Sequence, residues 1–441
     1  MALTGQRIGA LPGPPHRVPG PSPPVIVDEE TPMIPHARRV APTIAVLTAV
    51  AAGGLTHSPP APDGPALTPL PTSEPTLVVA TDGDDDAPGT VAAPLATIHR
   101  AVELAGPGDV IAVREGVYRL TTNITIDRDG TPDAPITLTS YPGEHAVIDG
   151  DGLPASHTPI GGSIPRPERG AIHQEASHWH ITDLEIIRGP YGIYCSDCDD
   201  NVFANLVTRD NYESGFQLQG ESSRNLILDL DSYGNHDPRK NGESADGLAI
   251  KEGRGEGNVV RGARLWNNAD DGFDAWMFES PITIEDSVAW GNGENRWGFP
   301  DFEGDGNGFK LGGGSPAPAV GHQVRNSIAF DNAVDGFEDN GNPGAHRVER
   351  STAYRNGGNG FDLRRSPAVL IGNLAVGNAS SVSRGTPSGT GNSWSGGQDW
   401  TAADLLSVDP AILTGPRSPD GSVPSSDFLV PADGSPIGAR F

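Results

Sequence analysis

A glycine followed by a large apolar residue recurs along this chain at intervals suited to a stacked fold. The pattern reads Gly, apolar, any residue, and often a second apolar residue. It occurs at Gly192-Ile193, Gly215-Phe216, Gly247-Leu248, Gly272-Phe273, Gly308-Phe309, Gly336-Phe337 and Gly360-Phe361. The intervals between these glycines are 23, 32, 25, 36, 28 and 24 residues. A companion series, Asn211, Asn235, Asn267, Asn292, Asn332, Asn356 and Asn378, keeps a similar spacing. Short β-type segments lie between, such as Asn225-Leu226-Ile227-Leu228 and Ser327-Ile328-Ala329-Phe330. A unit this small cannot bury its own apolar face, but stacked units can. The expected fold is therefore all-β: a parallel β-helix, or solenoid, with one rung per repeat. The apolar residue after each glycine points inward and the next points outward, by strand alternation. The asparagines suit a ladder of stacked side-chain amides.

Composition agrees. Gly (58) and Pro (42) make up nearly a quarter of the 441 residues, which excludes long helical bundles. No Gly-X-Y period runs through the chain, so collagen is excluded. Acidic residues number 57 against 30 basic ones, for a net charge of -27. A nucleic-acid binder normally carries a basic footprint instead. The two cysteines, Cys195 and Cys198, cannot staple a chain of this length, and their spacing suits a local disulfide better than a zinc site.

The first 75 residues hold 17 of the prolines and read as a disordered tail. Within it, Arg38-Arg39 precedes an apolar run ending at Leu55. The run is short for a membrane span, and the order of basic flank, apolar stretch and small residues is that of a secretory signal. Met33, just upstream, is a candidate start. The expected product is a secreted monomer with no stable membrane insertion after processing. Residues 56–75 read as a spacer, 76–400 as the β-helix, and 401–441 as a cap on its far end. The helical spacing of apolar residues from Pro94 to Ala105 predicts an N-terminal capping helix. Gly108–Val113 and Gly116–Tyr118 read as first strands, and 379–399 as a loop.

Aligning the rungs on their glycines places Gln217, Ala249, Asp274, Lys310, Glu338 and Asp362 in one outward column, about 4.8 Å apart. Lys310 should stand beside Asp274. Asp246 and Asp271 each precede a rung glycine, with Asp270 adjacent. Asp246, Asp270, Asp271 and Asp274 thus converge, and so many carboxylates repel unless neutralised. An all-oxygen cluster suits Ca²⁺; turn chemistry with a salt bridge to Lys310 is the plainer reading. The two long intervals come from insertions before Gly247 and Gly308. They carry Arg239 and Lys240 in one and Trp297 in the other, walls for a sugar chain. Lys251 and Arg364 face outward by the alternation, and Arg254 follows in a turn; all three are candidates to hold uronate carboxylates.

These residues resemble a known family. Asp246, Asp270-Asp271-Gly272-Phe273-Asp274 and Gly308-Phe309-Lys310, at intervals of 24, 1, 3 and 36, are similar to the Ca²⁺ site and catalytic lysine of the family 9 polysaccharide lyases. Those are pectate lyases with a right-handed parallel β-helix, and the resemblance covers roughly residues 76–400. It implies that Asp246, Asp270, Asp271 and Asp274 bind Ca²⁺ and that Lys310 is the base. It also implies an acidic polysaccharide substrate of the pectate type, though relatives act on homogalacturonan, rhamnogalacturonan and other acidic glycans.

The chemistry is coherent. β-Elimination removes the weakly acidic C5 proton of a 4-linked uronate, and a metal on the C6 carboxylate stabilises the charge that develops. A lysine base must be neutral, which predicts an alkaline optimum. Three other classes fit parts of the pattern: a β-helix glycoside hydrolase using Asp270/Asp271 or Asp301/Asp305 as its carboxylate pair, a uronate epimerase, and a non-catalytic glycan-binding β-helix.

Overall fold

The computed structural model describes residues 74–383 and 387–441. The Pro-rich tail, with Met33 and the signal-like segment 38–55, lies outside the described residues. Among the described residues the strands form three parallel sheets of 12, 10 and 10 strands. Each rung contributes one short strand to each sheet, as the repeat predicts. One sheet carries the Gly-apolar motif, and its register is Phe216, Leu248, Phe273, Phe309, Phe337, Phe361 in successive rungs. All six side chains are fully buried. Phe309, Phe337 and Phe361 stack ring on ring at 5.0 and 4.9 Å, so the apolar column is a continuous core rather than a set of local contacts.

The glycines of the motif have a steric cause. A Cβ on Gly272 would stand 2.6 Å from the Gly308 carbonyl oxygen and 3.0 Å from the Asn292 amide nitrogen. At Gly308 the same atom would meet the Gly336 carbonyl at 2.6 Å and Asn332 at 3.0 Å. No side chain fits where one rung's backbone and the amide ladder close on the next rung. The ladder itself runs Asn211, Asn235, Asn268, Asn292, Asn332, Asn356, Asn378, each Nδ2 donating to the next Oδ1 at 2.8–3.0 Å. The rung expected to supply Asn267 supplies Asn268 instead. Asn267 takes the left-handed position before it (φ +55°), as Asp210, Gly234, Gly291, Asp331 and Gly377 do before their own ladder residues. Gly, Asn and Asp tolerate that conformation best.

The capping helix spans Ile98–Leu104, shorter than the Pro94–Ala105 segment. Asp85 holds the Ala96 and Thr97 amides, and Thr97 caps the helix by accepting from the Arg100 amide. Val110–Val113 and Gly116–Arg119 are the expected early strands, preceded by Leu77–Val79. The stretch 379–399 is not wholly loop: Ser380–Val382 and Ser388–Thr390 extend two of the sheets. Beyond them, Trp394 packs on Phe361 with ring centroids 5.3 Å apart.

The final segment lies along the flank of the solenoid, not across its end. The outer face of the third sheet carries a row of rings, Tyr233, Trp266, Trp290 and Phe330, stacked at 4.1, 4.8 and 5.6 Å. Leu405, Leu413, Phe428 and Leu429 pack against the later part of that face. Arg264 donates to the Leu413 and Gly415 carbonyls, and Arg417 pairs with Asp231. Covering an apolar stripe is favourable, which is consistent with the placement.

A buried histidine pair carries a stability prediction. The His322 and His346 rings stack at 5.4 Å in successive rungs. His322 Nδ1 accepts from the Ile282 amide, and His346 Nδ1 accepts from the His322 amide, which makes both rings neutral Nε2–H tautomers. Burial lowers His322 to about 3, with His346 adding to the effect, and burial lowers His346 to about 4. The unfolded chain binds protons near the ordinary value of about 6.5. It therefore holds more protons than the fold across that window, and stability falls as pH drops from about 6.5 toward 4. Replacing both by Asn, the ladder residue used elsewhere, should remove roughly 5 kcal/mol of acid loss between about pH 7 and about pH 4.5, at about 1.4 kcal/mol per group per pH unit. Urea midpoints of the two proteins at about pH 7 and about pH 4.5 check this, and equal acid slopes would refute it.

Candidate active site

The outward column forms in the expected register. Ala249 pairs with Asp274, Asp274 with Lys310, Lys310 with Glu338 and Glu338 with Asp362. Asp246 and Asp271 are stacked at equivalent turns, with the Gly247 amide donating to the Asp271 carbonyl at 3.0 Å. Oxygens of Asp246, Asp270 and Asp271 lie within 4.8 Å of one another. All three side chains are buried, as is Asp274.

The cluster is incompletely satisfied. Asp271 Oδ1 accepts from the Asn307 amide at 2.7 Å and from its Nδ2 at 2.9 Å. Asp270 Oδ1 accepts from the Asp305 amide at 2.6 Å. Asp274 Oδ1 accepts from the Trp276 amide at 2.9 Å. Asp246 Oδ1, however, is buried with no hydrogen-bond donor, and Asp271 Oδ2 has only an ion pair. Burial, reinforced by the neighbouring carboxylates, pushes Asp246 up to about 7 and Asp271 to about 6, against the pull of Lys251 and Lys310. Asp270 rises well above its ordinary range for the same reasons. Buried carboxylate oxygens without donors are what a hard cation requires, so the residues present fit Ca²⁺.

Two lysines enter the cluster. Lys310 Nζ stands 3.0 Å from Asp271 Oδ2 and 2.7 Å from Asp305 Oδ2. It therefore pairs with Asp271, although its backbone neighbour is Asp274. Burial would lower its amine, but Asp271, Asp274, Asp270 and Asp305 outweigh burial and raise it well above its usual range. Lys251 Nζ lies 2.8 Å from Asp246 Oδ2 and 3.3 Å from Asp274 Oδ2. Its strand position is outward as expected, but its amine turns into the carboxylates instead of standing free for a substrate.

The two insertions meet and form one wall. The Glu303 amide donates to the Asn241 carbonyl at 3.0 Å, and the His236 and Trp297 rings stack at 5.2 Å. Phe302 lies so close to Gly242 (φ +100°) that a Cβ there would come within 2.7 Å of its ring. Trp297, half-buried between His236 and Phe299, is on this wall. Arg239 is not at its surface: it makes a two-pronged pair with Glu213 at 2.9 Å and is 11% exposed. A buried Glu213 and a buried Asp237 need that guanidinium, so the fold uses it. Lys240 donates to Ser244 at 3.0 Å. Arg254 pairs with Glu221 well out in solvent. Arg364 is exposed and pairs with Asp362. Cys195 and Cys198 are bonded as a local disulfide.

Two contributors stand outside the roles read from sequence. Asp305, expected only as half of a hydrolase pair, holds Lys310, and Asn307, not singled out, holds Asp271; both belong to an insertion without a rung period. Trp276 was missed although the signal was present. It lies two residues after Asp274, so the same alternation that aims Asp274 outward aims Trp276 outward too.

Comparisons with known proteins agree with this architecture. The profile of the "Pel9A-like, right handed beta helix region" matches residues 77–380. Pectate lyase PEL9 of Emericella nidulans is 49% identical over 384 residues, covering 82% of this chain and 94% of that protein. The crystal structure of pectate lyase Pel9A superposes with a TM-score of 0.71 at 30% identity, covering 83% of this chain and 91% of the other. A rhamnogalacturonan lyase structure gives 0.66 at 25% identity, over 82% and 99%. The right-handed β-helix is thereby shown, and a hydrolase, an epimerase and a non-catalytic binding module are set aside. The chain belongs to the Pel9A-like right-handed β-helix family and is a polysaccharide lyase.

Proposed function

We propose that this protein is a secreted, Ca²⁺-dependent lyase that cleaves pectate-type galacturonan by β-elimination. Asp246, Asp270, Asp271 and Asp274 would hold the ion, and Lys310 is the base. The observation that carries the reading is the placement of the Lys310 amine, 3.0 Å from Asp271 Oδ2 at the edge of buried carboxylates that lack donors. The substrate class follows from the relatives, which are named pectate lyases. The signal-like segment 38–55 fits export, and no helix among the described residues is long and apolar enough to cross a membrane.

When bound, Ca²⁺ would draw charge from the uronate C6 carboxylate and offset the carboxylates that keep Lys310 protonated. The neutral Lys310 amine takes the C5 proton. The C5–H electron pair becomes the C4–C5 double bond. The C4–O4 bond breaks with its electrons on O4, which then takes a proton from water. Asp305, 2.7 Å from Lys310 Nζ and open to solvent, anchors that amine and offers a route for the proton to leave.

The rhamnogalacturonan lyase likeness gives a second substrate reading. Ultraviolet absorbance of the unsaturated product separates them on polygalacturonate, rhamnogalacturonan and alginate, each with Ca²⁺ or excess chelator. The expected result is Ca²⁺-dependent product from polygalacturonate foremost. Undiminished turnover in chelator would exclude the metal role, and product from rhamnogalacturonan alone would reassign the substrate.

A further inference from the structure

A second outward column runs beside the catalytic one. Two residues further along each strand lie Lys251, Trp276, Gly312, Asn340 and Arg364 in successive rungs. Adjacent rungs are tied here: the Glu252 amide, next to Lys251, donates to the Trp276 carbonyl at 2.9 Å, and Asn340 Nδ2 donates to the Gly312 carbonyl at 3.2 Å. The intervening Ala275, Leu311 and Leu363 are fully buried, which fixes the column as outward. Lys251 is engaged by Asp246 and Asp274. Of the other four, Trp276 and Arg364 are exposed, Asn340 is half-buried and Gly312 is buried.

Trp276 stands apart from the chain's other tryptophans. Trp179 is buried; Trp266, Trp290 and Trp297 stack on other rings and Trp394 packs at a tilt on Phe361; Trp400 joins the apolar cluster under the C-terminal segment. Trp276 is 36% exposed. Among the described residues no ring stacks on it and no acceptor takes its indole N–H. Its position is nevertheless built. A Cβ on Gly313 (φ +136°) would stand 2.2 Å from Trp276 Cδ1 and 3.0 Å from Nε1. The bare backbone of Gly312–Gly314 thus makes room for one edge of the indole. At the other end of the column, Arg364 uses Nε and one terminal nitrogen on Asp362, both at 2.8 Å. Its side chain is 63% exposed, and its second terminal nitrogen remains for a ligand. It borders a recess of about 360 Å³ lined by Glu338, Asp339, Asn340, Asp362, Arg364 and Arg365.

Between these ends the column holds only the buried Gly312, which has no side chain, and the half-buried Asn340, so no large side chain of the column stands between them. Three rung steps separate Trp276 from Arg364, about 14 Å, the reach of a short oligosaccharide. We infer that Trp276 and Arg364 are the two ends of a binding track for an acidic oligosaccharide, laid along the solenoid axis beside Lys310. The indole stacks on the apolar face of one sugar ring, and the guanidinium takes a uronate carboxylate three rungs away. The track rests on the lyase reading above, since it assigns that same substrate to a second set of contacts.

The test is binding, measured apart from turnover. Full-length Lys310→Ala protein in Ca²⁺ buffer is titrated with saturated oligogalacturonides of increasing length by calorimetry, with indole fluorescence followed in parallel. Adding Trp276→Ala should weaken binding about tenfold and abolish most of the fluorescence change. Trp276→Phe should recover most of the affinity. Arg364→Ala should weaken only the longer oligomers, by about tenfold, and flatten their salt dependence. Affinity within twofold of the parent in Trp276→Ala, or a parent that binds no oligogalacturonide, overturns the track. Failure of the lyase reading shows separately, as wild-type protein that forms no unsaturated product from polygalacturonate in Ca²⁺ buffer.

Discussion

Lys310→Ala is expected to lose at least a hundredfold in unsaturated product formation, the lower end of what a positioned base contributes (about 10²–10⁴). The residue is buried beside the cluster, with its amine 3.0 Å from Asp271 and 2.7 Å from Asp305. Neither His322 nor His346 is an alternative base, since both rings lie buried just before strands of the 12-stranded sheet. Lys310→Arg should be almost as slow, because a guanidinium stays protonated at any accessible pH. The pH dependence has a definite sign. Asp271, Asp274, Asp270 and Asp305 outweigh burial and raise the Lys310 pKa. The neutral fraction, and with it the rate, therefore climbs with pH through the alkaline range in the wild type. Initial rates at saturating Ca²⁺ across that range check both substitutions. Near wild-type turnover in either variant would make Lys310 an ion-pair partner and nothing more.

The second large effect is on metal affinity. Asp271→Ala should weaken Ca²⁺ binding, measured by calorimetry, at least about a hundredfold. It removes a fully buried carboxylate whose Oδ2 has no hydrogen-bond donor. The same change should not lower the melting temperature of the chelated protein. Burial, then the nearby carboxylates Asp274 and Asp305, against the opposing pull of Lys310, leave Asp271 raised to about 6. Its ordinary value is near 3.9. The fold therefore holds that proton more tightly than the unfolded chain does. Stability from this group declines as pH rises from about 4 through 6, and without metal the ionised Asp271 is a cost at neutral pH. Loss of binding together with an unchanged or higher chelated melting temperature is the expected pair of results. Unchanged Ca²⁺ affinity would remove Asp271 from the site.

The rung register was legible because it is local and periodic. A glycine is demanded wherever the next rung's carbonyl and the amide ladder leave no room for a Cβ, as at Gly272 and Gly308. Strand alternation then aims every following residue in or out. From those two facts the column Ala249, Asp274, Lys310, Glu338, Asp362 could be written down, and it pairs in that order. The Asn267 slip shows the resolution of such reading. With two asparagines in succession, only the left-handed residue before each ladder position tells them apart.

What the repeat could not carry was decided by the tertiary structure. The amines of Lys310 and Lys251 sit on long flexible side chains, so their rung positions do not specify which carboxylates they reach. Asp271 and Asp305 receive one; Asp246 and Asp274 receive the other. The insertions before Gly247 and Gly308 have no period, and only their contact through Asn241, Glu303 and Phe302 makes them a single wall. Arg239 looked like a ligand for substrate until Glu213 was seen buried beneath it. The C-terminal segment had an apolar ring stripe to cover on the flank as well as an open end to cap. Its contacts follow the flank, where Leu405, Leu413, Phe428 and Leu429 bury apolar surface. Sequence by itself determined the solenoid, its registers and the meeting of Asp246, Asp270 and Asp271, all consequences of short-range sterics repeated at each rung. The tertiary structure decided how the charges within that meeting are paired, since pairing depends on distances between side chains that no local pattern sets.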